Sequence, residues 1–471
     1  MGKLDPAAVA QFYYGFFSMT SLVASGMSMG FSSIGLPVLT SNSSGFNTLA
    51  LLNGHEDAAT WFASIISIAI PFGCIASVFT MRAGRKIAMI SSGAISLLGW
   101  ILIATSYSIP QLLIGRFITG FATGLGSIAA PVYVSEIAAP KYRTSLTAAT
   151  NVFISFGILL IYFFGYIIPN NWRLVSAVVV ILPIFSMTSI IFFLPESPRW
   201  LLTNGSEAEA KSSLLTLRGL NFETNEFLIE FDQMIVYHGT GTKVFTSGGQ
   251  SKPTKVLTKI KEIWDALKKP EVWKPFLILN TFFLLQQFCG IYVVIAYAVD
   301  MVVKSGIAMD PFMVTVLIGL TQTIAAVVIT ICSSRMGRKL ASIISATGMS
   351  VSLAVLAICL NFEVENSVIL LVALFTFIAT GSFGFLPLPW AMIGELYPTK
   401  YVNFLAPITA CIEGFLNFAS IQIYPPLAKW DFTATIYLYC SVSIVSILFI
   451  VLILPETHGR TKTQIEHKFK S

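Results

Sequence analysis

Twelve stretches of this 471-residue chain are apolar over about twenty residues or more. That is the length at which an α-helix rising about 1.5 Å per residue crosses the ~30 Å hydrocarbon core of a bilayer. They run from Phe12 to Leu39 and then roughly over 60–80, 87–106, 112–135, 145–168 and 174–194; six more cover 275–303, 312–332, 340–360, 368–393, 405–427 and 434–454. In hydrocarbon every backbone N–H and C=O must find a partner inside the protein, and helices supply those partners within themselves. Charged residues make up 11% of the sequence, less than half of the about 25% found in an average soluble domain. The chain is therefore expected to be an all-α membrane protein with twelve transmembrane helices. The first run lacks a small-residue cleavage pattern and reads as a retained span, not a signal peptide.

Between the two sets of six lies the one long polar segment, Pro195 to Lys274, and short signatures recur on either side of it. Arg82-Ala-Gly-Arg-Lys86 answers Arg335-Met-Gly-Arg-Lys339, Ser135-Glu136 answers Gly394-Glu395, and Pro195-Glu196-Ser197 answers Pro455-Glu456-Thr457. The offsets, 85 to 338, 136 to 395 and 195 to 455, are 253, 259 and 260 positions. Three matches in one order at nearly one spacing indicate an internal duplication whose halves share topology and direction. The expected organisation is a six-helix half over 1–194, a cytoplasmic linker over 195–274, and a second six-helix half with a tail over 275–471.

Loop charge orients the chain. One set of short loops carries Arg82, Arg85, Lys86, Lys141, Arg143, Arg335, Arg338, Lys339 and Lys400, whereas the opposite set carries His55, Glu56, Asp57, Glu363 and Glu365. Basic loops face the cytoplasm, which predicts both termini and the linker there. The net charge of +6 is thereby explained without nucleic acid as a partner. The first outward loop holds Asn42-Ser43-Ser44, a glycosylation acceptor pattern. In the linker, Val256, Ile260, Ile263, Trp264 and Leu267 recur at helical spacing among lysines, an amphipathic helix that is either a brace or a lipid-binding switch. The Gly, Thr and Ser-rich stretch between Phe222 and Lys252 reads as a flexible connector.

Catalytic chemistry finds no place in this pattern. The six cysteines all fall inside apolar runs at irregular spacing, and the four histidines all fall outside them. No nucleophile is paired with a base, no cluster has metal-ligand spacing, and no phosphate loop is present, so neither an enzyme nor a metal or cofactor site is expected.

Polar residues inside apolar helices are more informative, because they must turn away from lipid toward a pathway or a partner helix. In the first span Ser18, Ser21, Ser25, Ser28 and Ser32 share a face with Gly26 and Gly30 nearby, a pattern that serves close packing as readily as a pathway. In the fifth, Thr147, Asn151, Ser155, Tyr162 and Tyr166 align. In the seventh, Gln286 and Tyr297 share a face with Gly290, with Gln287 a quarter-turn away. In the eleventh, Thr409, Glu413, Asn417, Ser420 and Tyr424 form the longest stripe. Amides with two donors and an acceptor suit sugar hydroxyls, which makes Asn151, Gln286, Gln287, Gln322 and Asn417 candidate ligand contacts. Glu413, an acidic residue near the middle of an apolar span, has two open roles, a charged acceptor for hydroxyls or a proton site. The tenth span is interrupted: Pro387 and Pro389 remove the amides that would bond the carbonyls of Phe383 and Phe385, beside Gly381, Gly384 and the aromatic platform of Trp390. That is the form of a hinge.

The chain resembles the sugar porter family of the major facilitator superfamily over essentially its whole length. The residues that carry the resemblance are Gly84-Arg85-Lys86; Gly115-Arg116 with Gly120 and Gly124; Pro131-Val-Tyr133-Val-Ser-Glu136 with Arg143; Pro195-Glu-Ser-Pro-Arg-Trp200; Gln286-Gln287-Phe-Cys-Gly290-Ile291; Gly337-Arg338-Lys339; Pro387-Leu-Pro389-Trp390; Glu395; and Pro455-Glu-Thr-His-Gly-Arg460. Within the family it is most similar to insect facilitated trehalose transporters. The resemblance implies the major facilitator fold, with a hexose or disaccharide bound between the halves. It implies sugar contacts at Gln286, Gln287, Gln322, Trp390 and Asn417, and at Asn151, where many members have Gln. Tyr292 stands where many have Asn, Ala296 where many have Tyr, and Gly414 where many have Trp; Tyr292, Tyr297 and Glu413 join the expected site. Glu136, Arg143, Arg85, Arg338 and Glu395 are the expected charged gate, with Pro387 and Pro389 as its hinge. Arg85 and Arg143 are the implied partners of Glu136, while Glu395 has Arg338 or Lys400. The acidic residue usual three positions before each Gly-Arg is Met81 in one half and Ser334 in the other, and Val402 stands where an Arg is usual.

Taken together, these features predict a plasma-membrane, multi-pass carrier that moves a hexose or disaccharide, trehalose foremost, by facilitated diffusion through alternating access. A monomer and the bilayer suffice for it. Ser32 stands where proton-coupled relatives carry Asp. The alternatives are a proton-coupled symporter using Glu413 and a sugar-sensing receptor with little turnover.

Overall fold

The computed structural model describes residues 6–41, 50–246, 268–332, 336–364, 366–398, 401–460 and 462–470. Asn42, Ser334, Lys400 and the amphipathic stretch from Val256 to Leu267 lie outside them. Twelve helices long and apolar enough to cross a membrane are present among the described residues: Ala7–Leu39, Glu56–Ala83, Arg85–Ala104, Ile109–Ile137, Lys141–Ile167, Trp172–Phe193, Pro270–Lys304, Pro311–Cys332, Arg338–Asn361, Ser367–Leu396, Phe404–Trp430 and Phe432–Leu452. They match the twelve expected runs and are numbered here as spans 1 to 12. Odd spans begin, and even spans end, at one face, which carries Arg85 and Arg338 and is called the basic face. Exposed Phe79, Phe192 and Leu452 show the apolar outer surface that lipid requires.

Backbone seams hold the first half together. A side-chain carbon at Gly26 of span 1 would sit 2.0 Å from the Ile154 carbonyl oxygen of span 5, and one at Gly157 would sit 2.2 Å from the Val23 carbonyl oxygen. Gly73 and Gly124 make the same reciprocal approach between spans 2 and 4. Only a residue without Cβ permits this separation, which brings long stretches of two helices into dispersion contact. The serine stripe of span 1 is buried, with the Ser28 carbonyl and the Ser32 hydroxyl turned to Arg116 of span 4. Ser18 and Ser21 bond back to the carbonyls of Gly15 and Ser18 at 2.9 and 2.8 Å, and Ser25, Ser28 and Ser32 are buried within the half.

The halves meet along span 5 with span 8, span 2 with span 11, and span 1 with span 7. At the face opposite the basic one, Tyr162 Oη donates to the Ile295 carbonyl at 2.8 Å and the Val299 N–H donates to Ser33 Oγ at 3.1 Å. Glu56 and Lys429 pair at 3.0 Å on the surface there. Deeper, Ser64 reaches Gln422 at 2.7 Å and Ser67 reaches Asn417 at 2.9 Å.

The linker is more ordered than its composition indicates. Helices Pro198–Thr203, Glu207–Leu217 and Asn225–Thr246 follow span 6, so the stretch expected to be a flexible connector is helical over most of its length. Thr224 Oγ1 accepts from Phe227 N at 3.2 Å at the helix start. Phe227 and Phe231, one turn apart, then pack with Leu201, Ala210 and Leu214. The Gly, Thr and Ser content after Tyr237 obscured this amphipathic start. Arg218 ties the bundle to the first half by donating to the Ile137 carbonyl at 2.9 Å while pairing with Glu230 at 2.6 Å.

Candidate functional site

Three of the five predicted amides, Gln286, Gln287 and Asn417, lie on spans 7 and 11 and are held by contacts with spans 10, 11 and 2. Gln287 Nε2 donates to Glu413 Oε1 at 2.8 Å, and Ser420 Oγ donates to the Gln287 carbonyl at 2.6 Å. Asn417, one turn beyond Glu413, is bonded both to that carboxylate and to Ser67 of the first half. Gln286 Nε2 donates to the carbonyl of Phe385 and, at 3.1 Å, to that of Leu386. Phe385 is the residue whose carbonyl Pro389 deprives of a helical donor, so the amide of span 7 fills the gap that the proline opens.

The break in span 10 has a defined geometry. Gly381–Phe385 forms a π turn in which Leu386 N donates to the Gly381 carbonyl at 3.0 Å. Ser345 of span 9 closes both ends, accepting from Phe385 N at 3.0 Å and donating to the Thr380 carbonyl at 2.5 Å. After Pro387 the chain resumes as a short helix, Leu388–Leu396, that carries Trp390. Its indole meets Phe283 edge-on at 5.1 Å and hydrogen-bonds Tyr292. Span 7 is broken too: Gly290 adopts φ +88° and Tyr297 has non-helical angles of φ −128°, ψ 29°. Tyr297 packs on Tyr424 at 4.8 Å, and Tyr424 Oη donates to Asp300 Oδ2 at 2.7 Å.

Several buried polar atoms of this region have no hydrogen-bond partner in the protein: Oε1 of Gln286, Gln287 and Gln322, Nδ2 of Asn151, and Oη of Tyr297. Gln322 stands one turn from Gly319, which packs on Leu159 and Tyr162 of span 5 at the seam between the halves. A buried polar group without a partner costs about 1–3 kcal/mol. These atoms sit on spans 5, 7 and 8, each of which takes part in the contacts between the halves.

The basic face carries two copies of one cluster. In the first half Arg85 Nη2 pairs with Glu136 at 2.8 Å, and Ser197 Oγ donates to the same carboxylate at 2.5 Å. Glu196 accepts from the backbone N–H groups of Arg85 at 3.1 Å, Lys86 at 3.2 Å and Ser197 at 2.8 Å. In the second half Arg338 pairs with Glu395 at 3.0 Å and Thr457 Oγ1 donates to it at 2.5 Å. Glu456 accepts from Arg338 N at 2.9 Å, Lys339 N at 3.1 Å, Thr457 N at 3.0 Å and His458 N at 2.9 Å. Even the lysines correspond, with Lys86 Nζ on the Ile191 carbonyl at 2.8 Å and Lys339 Nζ on the Val451 carbonyl at 2.7 Å.

Each outer carboxylate thus caps the N-terminus of span 3 or span 9, where free N–H groups and the helix dipole favour an anion. Gly84, at φ +141°, and Gly337 leave the room: a Cβ there would lie 2.6 and 2.5 Å from the Glu196 and Glu456 oxygens. The caps differ electrostatically. Burial pushes the Glu196 carboxyl above its ordinary range, with its backbone donors and the Arg85 charge only partly offsetting it. Burial acts in the same sense at Glu456, but four backbone N–H groups outweigh it and hold that carboxyl below the ordinary range.

Of the expected gate residues, Arg85, Glu136, Arg338 and Glu395 are brought together as described, and Glu395 takes Arg338 as its partner. Arg143 donates to the Ala138 carbonyl at 3.4 Å. Tyr166 of the span 5 stripe is exposed instead of facing the seam. Sequence reasoning did not assign roles to Glu196, Ser197, Glu456 and Thr457, although their recurrence was the signal. It also passed over Arg116 as a structural element. That guanidinium, fully buried, donates to the carbonyls of Ser28 at 2.7 Å and Phe62 at 3.2 Å and to Ser32 Oγ at 2.5 Å. Among the described residues no group of three or more His, Cys, Asp or Glu is arranged to hold a metal ion.

The family profile described as "Sugar (and other) transporter" matches residues 16–469. The chain belongs to that family. Curated relatives include the "Facilitated trehalose transporter Tret1" of Apis mellifera ligustica, 29% identical over 430 residues, covering 90% of this chain and 82% of that one. The protein of the same name from Culex quinquefasciatus is 27% identical, covering 88% of this chain and 78% of its own. Among solved structures, the inward-open form of the xylose transporter XylE from E. coli superposes with a TM-score of 0.77 at 19% identity, covering 97% of this chain and 99% of that one. The human organic anion transporter MFSD10 superposes with a TM-score of 0.63 at 12% identity, covering 93% and 99%. The fold of this sugar transporter family member is accordingly that of the major facilitator superfamily.

Proposed function

We propose that this protein carries a hexose or a disaccharide across the plasma membrane by facilitated diffusion, the two halves rocking about a site formed by Gln286, Gln287, Gln322, Trp390, Glu413, Asn417, Asn151, Tyr292 and Tyr297. The observation that carries the reading is the set of buried polar atoms without a protein partner on spans 5, 7 and 8, helices that take part in the contacts between the halves. A sugar offers hydroxyls that donate and accept, together with an apolar ring face for Trp390. Trehalose heads the panel because relatives bearing the name facilitated trehalose transporter align over most of this chain. With the basic face in the cytoplasm, as its loop charges favour, the ties Tyr162–Ile295, Ser33–Val299 and Glu56–Lys429 close the outer side. The form described here is then the inward-facing one. Facilitated diffusion is preferred over proton coupling because Arg116 faces the neutral Ser32 hydroxyl. Reconstituted protein should exchange labelled trehalose or glucose in saturable counterflow. Binding without exchange would replace the carrier with a receptor.

A further inference from the structure

The carboxylate of Glu413 is 5% exposed, sits at the seam between the halves, and meets Gln287, Asn417 and, close by, Tyr292 and Cys74. Among the described residues no Lys, Arg or His pairs with it. The amides around it are oriented by what they already bond. Gln286 must present its nitrogen to the carbonyls of Phe385 and Leu386, and Gln287 must present its nitrogen to Glu413. Their N–H donors on those sides are therefore committed, and the atoms left buried without partners are the two oxygens. The flip ambiguity of amides does not arise here, because a flipped amide would set oxygen against oxygen.

This part of the site is thus rich in acceptors and holds a buried carboxyl group with no cationic side chain paired to it among the described residues. A neutral hydroxyl brings one donor and two lone pairs that themselves need donors, whereas an ammonium brings three donors and no acceptor. Charge-assisted hydrogen bonds in a site of low dielectric are also about twice as strong as neutral ones. We propose that Glu413, with the amide oxygens of Gln286 and Gln287, forms a subsite for a protonated amine, and that the carrier takes cationic amino sugars in preference to neutral sugars of the same ring size. This rests on the transport reading above and names the substrate class that Glu413 selects.

The test is counterflow in proteoliposomes holding the full chain, with labelled glucosamine, N-acetylglucosamine and glucose, at a pH where the free amine is protonated. The wild type is expected to show a half-saturation concentration about tenfold lower for glucosamine than for either neutral sugar, a ratio worth ~1.4 kcal/mol. Glu413→Gln should erase that ratio, and Glu413→Asp should keep it in part. If the Gln variant does not fold, the wild-type ratio decides alone. Equal or weaker handling of glucosamine relative to glucose by the wild type overturns the proposal while leaving sugar transport standing. A preference that persists in a folded Glu413→Gln protein overturns it as well. Failure of all three sugars, and of trehalose, to exchange removes the transport reading and this subsite together.

Discussion

The guanidinium of Arg116 in span 4 donates to the hydroxyl of Ser32 in span 1 at 2.5 Å, deep within the first half. Its other bonds go to two backbone carbonyls, and the rings of Phe62 and Phe31 lie 4.9 and 5.6 Å from it. A hydroxyl does not titrate near neutral pH, so Ser32 offers no carboxylate for proton uptake during a transport cycle. Dissipating a pH gradient across sugar-loaded vesicles is accordingly expected to leave initial flux unchanged, and a collapse of flux would rule out facilitated diffusion. Ser32→Ala strands one buried donor and should cost about 1–3 kcal/mol of stability, read as a lower unfolding temperature in detergent.

The twin caps predict opposite responses to acid. Glu456 is held below its ordinary range by backbone donors, so its contribution is present above the unfolded carboxylate pKa and is lost as pH falls through the lowered folded value. Glu196 is raised by burial, so its contribution is present below the unfolded pKa and is lost as pH rises through the raised value. At neutral pH Glu456→Gln should therefore lower the melting temperature more than Glu196→Gln, and the gap should close on acidification. Equal losses at neutral pH would show the two caps to be equivalent.

Gln286→Leu removes the donor from the carbonyl of Phe385 that Pro389 leaves unpaired. The expected cost is about 1–3 kcal/mol, accompanied by weaker sugar affinity as the two broken spans lose their tie. Thermal unfolding and counterflow on the same preparation check both parts. A stable variant with wild-type affinity would show that this bond does not support the site.

Trp390→Ala should raise the half-saturation concentration for sugar about tenfold, equivalent to ~1.4 kcal/mol. The protein should still insert and fold, since the indole is only partly buried against the main core. Unchanged affinity would remove Trp390 from the site.

Twelve spans were legible because hydrocarbon imposes one length and a continuous apolar character on every crossing helix. The candidate site was legible at Gln286, Gln287, Glu413 and Asn417, where strongly polar side chains interrupt apolar faces. What the sequence did not disclose was pairing across distance. Arg85, Glu136 and Glu196 recur as Arg338, Glu395 and Glu456 at nearly constant offset, yet nothing along the chain says that the members of each set of three form a single cluster. Ser345 reads as one more small residue of span 9 until it is seen to close both ends of the π turn. In the linker, the Gly and Thr content after Tyr237 masked a helix whose register is set by Phe227 and Phe231 packing on Leu214.

The glycine seams of the first half have a mechanical consequence. Where backbone lies on backbone, as at Gly26 with Ile154 and Gly73 with Phe121, two helices have no side-chain layer to shear, and the bundle behaves as a stiff anvil. The irregular backbone lies in the other half, at Gly290, at Tyr297 and in the turn Gly381–Phe385. The two halves thus share one outline and differ in detail, backbone laid on backbone in the first and interrupted helices in the second.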